Sequence, residues 1–182
     1  MLSLLDQTKA LWRLNDYAAM EKRFALAKRL NTRLSPEARR AGYLHAEMFY
    51  YQQRFSEAAD AMLQVQSQHE QAGDLGLLEK SDIYEMDWVL GMMLFTDKRY
   101  AASLPHVRGC AARDGEHLRG ALSTLIAVYA NLGRIDEALQ QLRVYIGKYG
   151  ESADAVDLAR YVRDAAQAHK VGSIEPRRAP AH

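Results

Sequence analysis

From Met1 to about Lys170 the apolar residues recur at steps of three and four, and strand-like alternation is scarce. One helical turn holds about 3.6 residues, so this spacing lays the apolar side chains along one stripe of a helix. α-Helix is therefore the only regular element to expect. Leu118, Ala121, Leu122, Leu125, Tyr129 and Leu132 form one such stripe, and Ile135, Ala138, Leu139, Leu142, Tyr145, Ile146 and Tyr149 form the next. Only Asn131-Leu132-Gly133-Arg134 separates them, so the two helices must run antiparallel.

The same alternation of helix, short break and helix occurs three more times, with breaks near Asn15-Asp16, Arg54-Phe55 and Asp97-Lys98-Arg99. Internal repetition thus organises the chain. The expected helices are 2–14 and 16–31, 36–53 and 55–72, 77–97 and 99–112, 115–132 and 134–149, and a single helix at 151–169. Pro36 suits a first helical position, and Glu37 and Glu57 lie where the helix dipole favours an acid. Gly73, Gly76, Gly133 and Gly150 mark interruptions. Pro105 is expected close to the first turn of its helix, where it costs at most a slight bend.

With 48% apolar and 26% charged residues, the sequence can bury a continuous core. At 182 residues it suits one domain or one short array of repeats. Twenty-four Lys and Arg balance 23 Asp and Glu, so no strong field draws nucleic acid or anionic lipid. Neither partner is expected. The N-terminal Met1-Leu2-Ser3-Leu4-Leu5-Asp6 lacks a basic flank, and no apolar run nears the roughly 20 residues of a membrane span. A lone Cys110 fits a reducing compartment, so the cytoplasm is the expected location. It lies beside Gly109, Ala111 and Ala112, as a small buried thiol would.

Leu125, Tyr129, Gly133 and Ala138 in the fourth pair occupy the positions of Leu, Tyr, Gly and Ala in the tetratricopeptide repeat pattern, which this pair resembles. Leu90-Gly91, Arg99-Tyr100 and Ser103 match in the third pair, while Ala46, Phe49 and Phe55-Ser56-Glu57-Ala58-Ala59 match in the second. The first pair matches more weakly, through Asp16-Tyr17, Phe24 and Ala27. The aligned turn residues Tyr17, Phe55, Tyr100 and Ile135 are 38, 45 and 35 residues apart, against a family period of about 34. The resemblance implies an all-α fold, a right-handed α-solenoid of about four antiparallel TPR-like helix pairs plus a closing helix. It divides the chain into a repeat domain at 1–150 and a capping helix at 151–169, and the tail at 170–182, which loses periodicity and gains Pro and charge, is expected to be disordered.

In that family the first helices of successive pairs line a groove. The resemblance implies that Tyr43, Glu47, Tyr50 and Tyr51 face it from the second pair, and Glu85, Trp88, Met92 and Phe95 from the third. Ser123, Ala127 and Asn131 are the lighter positions of the fourth. Tyr and Trp concentrate binding energy at interfaces, and methionines such as Met92 and Met93 add adaptable surface. The competing reading is that these side chains simply pack against the next helix. Some relatives hold acidic C-terminal tails with a Lys, Asn and Arg clamp, which Lys9 and Arg40 alone do not make. An amphipathic helix or extended peptide of another protein is the expected ligand.

The histidines, including His45, His106 and His117, show no ligand spacing, and no nucleophile motif or phosphate loop is present. No metal, cofactor or catalytic residue is expected. The sequence reads as a non-catalytic adaptor or chaperone, similar in general style to the small repeat chaperones of bacterial secretion systems. The alternative is a structural subunit that self-associates or docks into a larger assembly.

Overall fold

A computed structural model describes residues 4–30, 36–73, 80–113 and 115–174. These residues hold nine α-helices and no strand. In chain order they are α1 Leu4–Arg13, α2 Tyr17–Leu30, α3 Pro36–Tyr51, α4 Phe55–Ala72, α5 Lys80–Thr96, α6 Tyr100–Ala111, α7 Leu118–Asn131, α8 Ile135–Tyr149 and α9 Ala153–Ile174. Each corresponds to one expected helix. The expected start of the fifth helix at 77–79, Gly76, and the side chains of Ala27, Glu37, Lys9 and Arg40 lie outside the described residues.

One boundary and the expectation for Pro105 need correction. α9 runs on to Ile174, past the expected end at 169. No proline falls between Ala153 and Ile174, so loss of apolar period alone does not block the helical backbone there. Residues 175–182 lie outside the described residues. Pro105 is the sixth residue of α6, two positions beyond Ser103, whose N–H already donates to the Arg99 carbonyl at 2.9 Å, so it lies past the amides that lack helical partners. It therefore forfeits a bond to the Ala101 carbonyl; Ala101 is exposed, so water can replace the missing donor.

The repeat is most visible in the turns. Asn15, Gln53, Lys98 and Gly133, each two residues ahead of α2, α4, α6 and α8, have φ of 55°, 61°, 62° and 73°. Their amides donate to the carbonyls of Trp12, Tyr50, Phe95 and Ala130. The next amides, of Asp16, Arg54 and Arg134, reach back to Leu11, Phe49 and Tyr129 at 2.9–3.0 Å. This pair of bonds around a left-handed residue is the Schellman ending, which satisfies the last carbonyls of a helix and reverses the chain. Arg54 and Arg134 then each hold the Glu three residues on, and lie 4.3 Å and 4.8 Å over the rings of Phe49 and Tyr129.

The chain divides into two compact units, Met1–Lys98 and Arg99–His182. In the first, α3 packs against α1, α2 and α4, and α4 against α5. Ala46, Ala58, Ala59, Met62, Met86, Leu90, Met93 and Leu94 form its core. The alanines allow close approach of the backbones and the methionines fill irregular gaps between them. In the second unit α7 packs against α6, α8 and α9, and α8 against α9. Leu122, Leu125, Ile126, Tyr129, Leu142, Tyr145 and Val162 lie at its centre, with Val107 and Ala138. Cys110 is fully buried. No described helix is long and apolar enough to cross a membrane.

Candidate functional site

The α3 positions 43, 47, 50 and 51 recur at helical spacing and share a face, as do the α5 positions 85, 88, 92 and 95. Within the first unit these helices border a cleft of about 250 Å³. Five of the eight expected residues line it: Glu47, Tyr50, Tyr51, Trp88 and Met92. Val89 and Met93 complete the lining. Met93 is a core residue at 1% exposure, so of the two adjacent methionines only Met92 offers appreciable surface.

The other three expected residues sit beside the cleft. Tyr43 packs partly against the core, Phe95 is half-buried, and Glu85 is exposed and acts on the cleft through its charge. Tyr50 also packs partly against the core while keeping one side on the cleft.

The aromatic wall is braced from α1. Tyr51, 67% exposed, meets Tyr50 at a ring separation of 6.1 Å and an interplanar angle of 80°. Trp12 lies 5.7 Å from Tyr51 at 66°, and Phe55 lies 5.4 Å from Tyr50 at 63°. These edge-on geometries suit aromatic quadrupoles and fix the rings at little entropic cost. Sequence reading missed Trp12 as a support, although a signal was present. Trp12, Tyr50 and Phe95 each stand five residues before the next helix begins, and their carbonyls make the same turn bond.

Burial, followed by the negative charge of Glu85, pushes the Glu47 carboxyl up to about 7. Burial, then Glu47, Glu85 and Tyr51, drives the Tyr43 hydroxyl far above its ordinary range, so it remains a neutral donor. The cleft thus combines three aromatic rings with a carboxyl whose charge is held at a cost.

In the second unit the expected light positions are internally committed. The Ser123 hydroxyl donates to the Gly120 carbonyl at 2.9 Å, and the Asn131 amide donates to the Ala127 carbonyl and the Tyr161 hydroxyl at 2.8 and 2.6 Å. His45 lies between the rings of Phe24 and Phe49, and buried His69 accepts from Arg39 at 3.3 Å. Among the described residues no group of three His, Cys, Asp or Glu could hold a metal ion. A larger cavity of about 370 Å³ lies among α2, α3 and α4, but Arg54 already holds its Glu21 and Glu57.

No protein-family model matches the sequence, and no curated protein matches it. Solved structures do. The nearly identical TPR-like repeats of a putative kinesin light chain from Podosopora anserina superpose with a TM-score of 0.61 and 12% identity, covering 93% of this chain and 87% of that one. A point variant of those repeats gives a TM-score of 0.61 and 14% identity, covering 93% and 86%. YrrB, described as a TPR protein with an unusual peptide-binding site, gives a TM-score of 0.57 and 16% identity, covering 93% and 88%. The chain has the tetratricopeptide-type fold. Its helix pairs, Schellman turns and small core alanines are the local form of that all-α repeat.

Proposed function

We propose that this chain is a non-catalytic adaptor or chaperone that holds a helix or extended segment of another protein in the α3–α5 cleft. The observation that carries this reading is convergence: Glu47, Tyr50, Tyr51, Trp88 and Met92, spread over more than forty positions of sequence, line one cleft. At about 250 Å³ it falls below the roughly 300–1,000 Å³ of small-molecule pockets and suits one or two side chains of a macromolecular partner. The neighbour YrrB, described as having a peptide-binding site, supports a peptide ligand on this fold. We place the protein in the cytoplasm, with residues 1–150 as the repeat domain and α9 as its closing helix.

The test is a Tyr50→Ala/Trp88→Ala double variant compared with the wild type by quantitative affinity capture. Helicity measured by circular dichroism should be unchanged, while the partners identified with the wild type should fall at least about tenfold, as expected for loss of two aromatic anchors. Undiminished capture of every partner would exclude the cleft.

A second reading is a structural subunit. Leu139 and Val144 on α8 and Val156 on α9 are exposed apolar side chains in the second unit. Light scattering separates the two readings, because self-association raises the mass with concentration.

A further inference from the structure

Building on that reading of the cleft, we propose that its occupant is a partner segment presenting a lysine or arginine side chain flanked by aliphatic residues. Charge complementarity selects this chemistry over the alternatives. Tyr50, Tyr51 and Trp88 give the cleft three aromatic rings, whose faces attract a cation as well as apolar surface. Glu47 lies in the same lining, with the charge of Glu85 acting on it from the exposed side. An acidic side chain entering here would add another negative charge to that pair. An aliphatic one would bury Glu47 further and satisfy only the rings. A basic side chain satisfies both, laying its methylene stem along Met92 and the rings while its head meets the carboxylate.

The state of Glu47 in the free protein points the same way. Burial and Glu85 both oppose its ionisation. A ligand cation would offset both, so the carboxyl is held at a cost that a basic ligand relieves. The protein as a whole carries a formal charge of only +1, so this preference belongs to the cleft and not to a general acidic field.

The probe is a random-peptide display library selected on the full chain. Enriched sequences should carry Lys or Arg beside aliphatic residues. A synthetic peptide of the strongest sequence should lose about tenfold in affinity when its basic residue is replaced by norleucine, which keeps the stem and removes the charge. Glu47→Gln should shrink that difference to about twofold while the norleucine peptide still binds. Since the norleucine comparison is made on the wild-type protein, it decides the matter whatever the stability of the variant.

Enrichment of purely apolar or acidic sequences, or a norleucine replacement without effect, overturns the basic-ligand inference. If those peptides still lose affinity for the Tyr50→Ala/Trp88→Ala variant, the cleft reading survives. Equal binding to wild type and double variant, or no enrichment on the wild type, overturns both. Selection of the chain's own segments points to a second copy and also counts against the inference.

Discussion

At position 42 of α3 there is no room for a methyl group. A Cβ built there would stand 2.7 Å from Val65 Cγ2 and 2.9 Å from Phe24 Cζ. Gly42→Ala gains about 1 kcal/mol of helix propensity, but forcing a methyl into this packing costs about 1–3 kcal/mol. A net loss of stability should appear as a lower urea midpoint with unchanged slope, and a raised midpoint would contradict the close packing. The sequence did not disclose Gly42, because its reason lies in Phe24 and Val65 on two other helices. Glu47 was legible from register alone, but the effect of its surroundings was not. Its folded pKa is raised to about 7 from 4.5, so between those values the native state holds a proton that the unfolded chain has released. The stability contributed by this group is therefore complete below about pH 4.5 and is lost as pH rises through about 7. Urea midpoints measured from about pH 5 to about pH 8 should fall for the wild type relative to Glu47→Gln. Parallel pH profiles would show that the carboxyl is not strained by its site.

The helix-pair turns make a prediction of opposite signs. Gln53 and Gly133 occupy the same left-handed position, at φ of 61° and 73°. A left-handed residue with a Cβ carries about 1 kcal/mol of strain that glycine avoids. Gln53→Gly should therefore stabilise its unit by up to about 1 kcal/mol, and Gly133→Gln should destabilise its unit by about the same. Differential scanning calorimetry would read both, and shifts of the same sign would mean that the turns are not equivalent. The breaks near residues 15, 54 and 97 were visible as interruptions of periodicity. Their shared geometry was not, because Gln and Lys carry no sequence preference for a left-handed backbone and hydrogen bonding to the preceding helix imposes it. The end of α9 was misplaced for a related reason. Loss of apolar period reads as an ending, whereas a helical backbone that no proline interrupts continues to Ile174.

At the scale of the whole molecule, the helices and their repetition were legible because periodicity, short breaks and small core residues all pointed to one architecture. The site was legible in part. Carrying groove positions from the family register assumes regular stacking, and turn spacings of 38, 45 and 35 residues depart from that regularity. Glu47, Tyr50, Tyr51, Trp88 and Met92 converged on the cleft, while Tyr43 turned partly to the core. Trp12 braces the wall from a helix whose weak motif match hid its equivalence to Tyr50. The central claim is that a partner occupies the cleft between α3 and α5. Site-specific photo-crosslinking tests it most directly, with p-benzoylphenylalanine placed at position 51 or, as a control, at exposed position 144 of α8. The account predicts covalent capture of the partner from position 51 and none from position 144, with capture competed away by a cleft-binding peptide. Capture from position 144 with none from position 51 would contradict it.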